Sequence, residues 1–535
     1  MNKTTAYILT FTLFLGQTAF GEENTCDFVR HLELGDERNN EDFLLTSWSL
    51  NPSKASSFAT NHLVMESSAL LFGRLRDGMK NELAQSFQFD PIKQVATIEL
   101  NQSCRWSDGE PITAENYIDS FKMIFDPEND SYNPGRAVFH NGYDVWKGKL
   151  PFDQLGIKAI DKFTLELDVA VPETLFKAMM SYVSYTPAPS HILNEQPDYW
   201  DNYPDAKVVS GPYMHFSNDA QKVVLVPNPY YCDRSTQNFD RVIVKKTNTE
   251  AEVGNLIFES KVDIAGRLPA RQIRMLTSSE TVLDKYYIFD VNDEVIYYFV
   301  IRSGKIENPE IREALGSVLD FEYLESNTLG YFLELADSFA FRYPGYNPPK
   351  INQNFEQYQE RIANARIVLE KHGYSDKNPL TLTFANPKTE IYRYLGEGIV
   401  AMLNQLPIKV LTNDDEANRI SWNNNAAIVL TGWGSDYADP ENFLSYMVAT
   451  FTSEENKPAM IDLLDRANLA KTPEERFDLL EEIEVQLYQD KTIFPISWFK
   501  TDWLVKKNFE HLEGFYFLGR NFKSTDCVPQ HLSEK

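Results

Sequence analysis

The residues best suited to chemistry lie together in a short stretch, 426–440, which reads AAIVLTGWGSDYADP. Its candidate site residues are Gly432, Trp433, Gly434, Asp436 and Tyr437. Glycine lets another backbone approach closely, tryptophan offers a flat aromatic face, and a carboxylate can hold a positive group. The stretch predicts an open strand edge, a tryptophan platform and one acid at a crevice. An ordinary strand exit with a surface aspartate fits the same residues equally well.

The elements around this stretch predict a mixed α/β fold. The apolar run 426–430 is short and β-branched in its middle, which is typical of a strand buried on both faces. Before it come a predicted strand at 380–385, a helix at 391–404 and a strand at 408–411. In open α/β sheets, ligands bind just beyond the carboxyl ends of strands. The crevice is therefore expected where the run reaches its glycines.

The sequence lacks the common motifs of catalytic sites. Asp436, Asp439 and Glu441 beside an aromatic platform would suit a glycan hydrolase, but acids this close in sequence usually share one loop. The sequence contains no H-E-x-x-H, no G-x-S-x-G, no P-loop and no G-x-G-x-x-G. We therefore expect a binding protein rather than an enzyme, with no cofactor and no metal. A secreted glycan hydrolase remains the alternative.

Length, charge and the N-terminus restrict the class further. A chain of 535 residues is too long for one core, so two or three lobes are expected. The net charge of −27 argues against nucleic acid or an anionic membrane as partner. Residues 1–21 carry Lys3, a short apolar run and small residues before Glu22, which predicts a cleaved signal peptide. The mature protein is expected to be periplasmic and not membrane-spanning.

Several further segments have the pattern of a helix or a strand. The clearest strands are predicted at 28–34, 96–100, 295–302, 494–499 and 503–505, with a hairpin at 157–169. The clearest helices are predicted from Thr113, at 355–373 and at 473–488. Four cysteines, Cys26, Cys104, Cys232 and Cys527, allow two disulfides in three connectivities.

The chain resembles the extracellular solute-binding proteins of the peptide and nickel transport class. The matching segments follow the family's order over nearly all of the mature chain and are 106–116, 155–161, 210–213, 224–233, 309–315 and 432–444. The resemblance implies a three-lobe α/β fold of the type II periplasmic-binding-protein kind, with a hinge. Lobe I would comprise 22–72, 195–292 and 500–535, lobe II 73–194 and lobe III 293–499. Such a monomer would deliver its ligand to a membrane permease with two ATPase subunits.

The resemblance also implies a role for individual residues. Asp436 would pair with the α-ammonium group of a short peptide, and the backbone at Gly432 and Gly434 would add the peptide as an extra strand. Trp433 would line a side-chain pocket. The remaining residues expected to contact the ligand are Tyr437, Trp498, Phe499 and Tyr132. A sugar, a metal chelate or a cell-wall peptide on the same fold remains an alternative ligand.

Two departures from the family pattern affect these expectations. Leu430 stands where a basic residue precedes the Gly-Trp pair, so ligand length and recognition of the ligand's C-terminus stay open. Phe499 stands where a tyrosine is usual. Within the implied lobes, the favoured disulfide pairs are Cys26–Cys527, at the two ends of lobe I, and Cys104–Cys232.

Overall fold

A computed structural model gives the fold of the greater part of the chain. The residues that it describes are 27–33, 52, 58–75, 78–129, 136, 138–197, 199–201, 208–218, 221–247, 250–266, 268, 270–324, 333–351, 357–386, 390–412, 425–510 and 526–527. The predicted signal peptide, Tyr132 and Cys26 lie outside these residues.

The strands of the described residues belong to one large sheet and three small ones. In chain order they are β1 (Asp27–Glu33), β2 (Phe72–Leu75), β3 (Gly78–Asn81), β4 (Ala84–Asp90), β5 (Val95–Leu100), β6 (Ile157–Asp161), β7 (Thr164–Asp168), β8 (Tyr213–Asn218), β9 (Lys222–Pro227), β10 (Arg241–Thr247), β11 (Ile264–Ala265), β12 (Tyr286–Ile301), β13 (Leu333–Leu335), β14 (Leu380–Ala385), β15 (Ile408–Thr412), β16 (Ile428–Gly434), β17 (Ile493–Lys506), β18 (Phe509–Glu510) and β19 (Asp526–Cys527). The large sheet has the order β15-β14-β16-β12-β17-β11-β1-β10-β9-β8, and β13 pairs with β17. The small sheets are β4-β5-β7-β6, β2-β3 and β18-β19.

Helices pack on the faces of these sheets. They are Phe58–Ser67, Ala114–Ile124, Gly142–Trp146, Glu173–Met180, Ser190–Leu193, Glu250–Phe258, Ala270–Thr277, Glu280–Lys285, Pro309–Ser317, Phe321–Leu324, Tyr358–Lys371, Glu390–Leu403, Glu441–Phe451, Lys457–Asn468 and Pro473–Asp490. Local sequence explains several of their ends. Thr472 caps the last of these helices by accepting a hydrogen bond from the Glu475 amide, and Pro473 occupies the first turn, where no amide donor is needed.

The long strands β12 and β17 connect the two halves of the large sheet. They pair antiparallel from Tyr286 opposite Lys506 to Val300 opposite Ile493, with a shift of register between Asn292 and Ile296. Beyond this bulge β12 is buried on both faces, since successive side chains of a strand point to opposite sides. Ile296 and Tyr298 enter one hydrophobic cluster, while Tyr297 and Phe299 enter another. The bulge falls at the predicted boundary between 292 and 293, although the lobe division stays a prediction.

The hydrophobic cores divide the molecule unevenly. One large cluster, which we call core A, takes residues from both predicted lobes I and II, including Val64, Trp106, Phe176, Val242 and Trp503. Two clusters cover the opposite faces of the sheet around β16 within predicted lobe III. A smaller cluster lies around Ile257 and Leu504. Core A and the smaller cluster thus lie within 27–292, the end of β17 and β18, apart from Tyr437 in core A, and the other two clusters lie within 293–499.

A disulfide joins Cys104 to Cys232 across core A, which confirms that predicted pair. It is supported by hydrogen bonds between the same two parts of the chain. The Ser107 amide donates to the Val209 carbonyl at 2.9 Å, and the Tyr231 hydroxyl donates to Glu82 at 2.6 Å. The Cys26–Cys527 pair stays a prediction.

Two strands extend beyond their apolar sequence patterns. The apolar run 426–430 stops before the glycines, but β16 continues through Gly432, Trp433 and Gly434. The segments 494–499 and 503–505 are parts of one 14-residue strand, β17, rather than two separate strands. In both places the backbone keeps its strand partner, β12, where the side-chain pattern loses its apolar regularity.

Candidate ligand-binding site

The site is built on β16, whose two edges are paired unequally. Along one edge all seven residues pair antiparallel with β12, from Ile428 opposite Ile301 to Gly434 opposite Val295. Along the other edge β14 is registered only against Ile428 and Val429, so among the described residues strand pairing there stops before Thr431. An extended ligand can add to a strand at such an edge through main-chain hydrogen bonds.

Gly432 is required by the close packing of its surroundings. A Cβ atom at this position would lie 2.8 Å from the Ile296 carbonyl oxygen and 3.1 Å from the hydroxyl of Tyr392. A Cβ atom only 2.8 Å from a carbonyl oxygen is too close, so a side chain at residue 432 would force the backbone to shift. The tyrosine therefore approaches the incompletely paired part of β16 because residue 432 has no side chain. Sequence reasoning missed Tyr392, which lies in a separate helix, Glu390–Leu403.

Trp433 is held in a fixed orientation. Its ring stacks on Tyr446 with the centroids 3.8 Å apart, and its indole N–H donates to the Asn442 side-chain oxygen at 2.8 Å. The same oxygen accepts a hydrogen bond from the Asp436 amide at 3.3 Å. Asn442 lies in the first turn of the helix Glu441–Phe451, so this helix orients both the tryptophan and the acid.

Asp436 lies where predicted lobe III meets predicted lobe II. Asp436 is half-buried, and its Oδ2 atom is fully covered by protein. Burial, and after it the negative charge of Asp436, raise the pKa of the Tyr182 phenol well above its usual range. The two side chains are thus close enough to interact through space. Tyr182 precedes the short turn Val183–Tyr185, and nothing local in the sequence marks it as a site residue.

The side chain of Tyr437 is buried in the protein interior rather than exposed at the predicted crevice. It is 4% exposed and belongs to core A, although it comes from predicted lobe III. Its hydroxyl donates to Glu441 at 2.5 Å. Burial first, and the charge of Glu441 second, raise the pKa of Tyr437, and burial raises the pKa of Glu441. The loop is thereby anchored on core A. Ligand contact by Tyr437 stays a prediction, and its burial favours a supporting role for the side chain.

The aromatic residues at 498 and 499 occupy different environments. Trp498 is 5% exposed and packs edge-on against Phe341 and Phe443, so its side chain supports the wall behind the site. Phe499 is half-buried and packs edge-on against Tyr297, with ring centroids 5.9 Å apart. Tyr297 in turn contacts Tyr392 beside the site. Ligand contacts by both predicted residues stay predictions.

Asp439 and Glu441, which were considered for glycan hydrolysis, form buried contacts that hold the loop. Asp439 forms a two-pronged ion pair with Arg476, at 2.7 and 2.9 Å, and both side chains are buried. Glu441 accepts the hydrogen bond from Tyr437. Leu430, at the position expected to be basic, is fully buried among apolar residues. Asp439 and Glu441 therefore stabilise the structure of the loop, and ligand contact by Asp436 stays a prediction.

No helix of the described residues is long and apolar enough to cross a membrane. Over the same residues, no group of three or more histidine, cysteine or acidic side chains is arranged to hold a metal ion.

Comparison with known proteins identifies the family. The model of the bacterial extracellular solute-binding proteins, family 5, matches residues 78–455. The chain belongs to this family. Members are solute-binding receptors rather than enzymes, and the type II periplasmic-binding-protein fold predicted from the sequence is confirmed by solved structures.

Individual relatives have low sequence identity to this chain but align with most of its length. The chain is 23% identical over 473 residues to the periplasmic murein peptide-binding protein MppA of Escherichia coli, covering 86% of this chain and 87% of MppA. It is 24% identical over 439 residues to the periplasmic oligopeptide-binding protein OppA of Salmonella typhimurium, covering 77% and 78%. The solved structure of the E. coli murein tripeptide binding protein MppA aligns with a TM-score of 0.76 at 20% identity, covering 94% of this chain and 99% of that one.

Proposed function

We propose that this solute-binding protein captures short peptides for an ABC importer, with little preference for peptide sequence. The observation that carries the proposal is the position of Asp436, a half-buried carboxylate just beyond the end of the half-paired strand β16. Relatives whose names state peptide binding support it.

The proposed chemistry has two parts. The carboxylate of Asp436 receives the α-ammonium group of the peptide, which every unmodified peptide has regardless of its sequence. The peptide backbone then pairs with Thr431–Gly434, beyond the last residue of β16 that β14 occupies. Both interactions involve the ligand's main chain. Side chains would point into hydrated pockets beside Trp433, where water adapts to different groups.

The cellular setting is part of the same proposal. A signal peptide at 1–21 would deliver the protein to the periplasm as a monomer, and a permease with two ATPase subunits would read the ligand-bound form. The protein itself would perform no covalent chemistry.

The alternative ligand that one observation favours is a cell-wall peptide, because the murein peptide-binding MppA aligns over 86% of the chain. Such a ligand would still present an amino group to Asp436. It would differ from the main proposal in selectivity, since a murein tripeptide would then bind much more tightly than ordinary tripeptides.

Calorimetry with Asp436→Asn tests the clamp. The substitution keeps the size of the side chain and removes its charge, and we expect at least a thirtyfold loss of affinity for an unmodified tripeptide, or about 2 kcal/mol. The N-acetylated tripeptide should bind wild type about as weakly as the free peptide binds the variant. The matched control is Asp462→Asn, whose side chain is 70% exposed on the same lobe. Unchanged affinity in Asp436→Asn at unchanged stability would refute the amino clamp.

A further inference from the structure

A buried acid, Glu294, lies directly behind the loop that carries Asp436. It is 1% exposed and sits in the bulge of β12, where the register against β17 changes between Asn292 and Ile296. Its φ is +52°, a left-handed conformation that is unfavourable for a residue with a side chain. Such strain persists only where the surrounding contacts hold the residue in place.

Those contacts converge on Ser435, the neighbour of Asp436. The Ser435 amide donates to the Glu294 carbonyl at 3.0 Å. The Tyr343 hydroxyl donates to the Glu294 carboxylate at 2.9 Å and lies 3.2 Å from the Ser435 hydroxyl. Ser435 itself donates to the Tyr437 carbonyl at 2.6 Å. Ser435 is 1% exposed, so these bonds are shielded from competing water.

Tyr343 is in turn fixed from behind. Its ring packs edge-on against Phe341, with centroids 5.6 Å apart, and Phe341 packs in the same way against the buried Trp498. A continuous row of packed side chains therefore runs from the hydrophobic core to Ser435. This row supports the site from behind whether or not Trp498 contacts a ligand.

We propose that Glu294 and Tyr343 are positioning residues, which hold Ser435 so that the carboxylate of Asp436 is correctly aimed before a ligand arrives. The inference rests on the proposed amino clamp. A carboxylate that is already oriented loses little conformational freedom on binding, so more of the ion-pair energy appears as affinity. Loss of the Tyr343 hydroxyl should therefore weaken recognition of the amino group, and leave contacts to the rest of the peptide unaffected.

The protein contains a matched control in the same turn. Tyr346 also donates to a buried glutamate, Glu484, at 2.6 Å, and this pair has no contact with Ser435 among those that the structure shows. The Tyr346 backbone amide donates a hydrogen bond to the Tyr343 carbonyl, so both tyrosines belong to the same turn. Tyr343→Phe and Tyr346→Phe each remove one tyrosine–glutamate hydrogen bond, but only the first bond lies beside the clamp.

The experiment measures amino-group selectivity, defined as the affinity for a tripeptide divided by that for its N-acetylated form. We expect Tyr343→Phe to lower this ratio about tenfold, which corresponds to about 1.4 kcal/mol. Tyr346→Phe should lower the melting temperature and leave the ratio unchanged. Glu294→Gln retains an acceptor for Tyr343 and should keep most of the selectivity, whereas Glu294→Ala should lose it.

The outcomes separate this inference from the proposed function. If wild type does not distinguish the two tripeptides, the amino clamp itself is refuted. If wild type distinguishes them and Tyr343→Phe does so equally well, only the positioning role is refuted. An equal loss of affinity for both peptides in Tyr343→Phe would also refute it, since that is the result of a purely structural role. A Glu294→Gln variant as unselective as Glu294→Ala would contradict the hydrogen-bond mechanism.

Discussion

Replacing Arg476 by methionine is expected to destabilise the protein strongly, through the loop that carries the proposed clamp. Arg476 reaches from the helix Pro473–Asp490 to Asp439, three residues after Asp436. Its two terminal nitrogens donate to the two carboxylate oxygens at 2.9 and 2.7 Å. One of those oxygens also accepts the Glu441 amide at 2.9 Å, so the aspartate organises the start of the next helix.

The expected magnitude follows from burial. The side chains of Arg476 and Asp439 are 1% and 5% exposed. Removing the arginine alone leaves a carboxylate in the interior without its counter-charge, which costs about 3–5 kcal/mol. The double variant Arg476→Met/Asp439→Asn removes both charges, and we expect it to lose less than Arg476→Met alone. The two substitutions should therefore be coupled by about 2 kcal/mol.

Urea unfolding of the two single variants and the double variant measures this coupling. The control is Arg466→Met, because Arg466 pairs with Asp462 at 3.7 Å and these side chains are 57% and 70% exposed. An exposed pair of this kind contributes at most about 1 kcal/mol. If Arg476→Met costs no more than the control, or if the double variant loses the sum of the single losses, the reasoning from burial is wrong.

Two further predictions concern core A. The double variant Cys104→Ser/Cys232→Ser should lose about 4 kcal/mol of unfolding free energy, because the disulfide closes a loop with a sequence separation of 128. A loss below about 1 kcal/mol, measured by urea unfolding, would contradict this prediction. Burial lowers the pKa of His215 to about 4, below its ordinary value of 6.5. The unfolded chain therefore binds a proton between these values while the folded protein does not, so stability should fall by up to about 3 kcal/mol as the pH drops through this range. His215→Gln should flatten the pH dependence of the melting temperature over that range, and a dependence as steep as in wild type would contradict this reasoning.

Local periodicity was sufficient for elements that stay in one environment. The hairpin at 157–169 and the helix beginning after Thr113 are found as predicted, because each packs one face against a single core. It recovered only parts of β12 and β17, which pass from core A to the cores of 293–499. Near the crossing, β12 carries Asp290 and Asn292 opposite Asp502 and Lys500. Polar residues in mid-strand resemble a loop when the strand partner is unknown.

The site was predictable only where it is contiguous in sequence. Gly432, Trp433 and Asp436 share one short segment, so residue types and spacing could indicate them together. Tyr343 and Arg476 act on the same loop from 92 and 37 residues away, respectively. No local pattern distinguishes a tyrosine or an arginine that will reach such a loop. These contacts depend on the arrangement of separate elements around the sheet.

The position of the clamp suggests how binding a ligand would be linked to closure of the lobes. Predicted lobes I and II share core A and the Cys104–Cys232 disulfide, so they are expected to move as one body. The loop of Asp436 belongs to 293–499, yet Tyr437 anchors it on core A. Burial first, and the charge of Asp436 second, raise the pKa of Tyr182 in predicted lobe II, so an amino group bound by Asp436 would act electrostatically on both bodies. A ligand that contacts both bodies binds the closed arrangement more tightly than the open one, and this difference in affinity is the free energy available for closure.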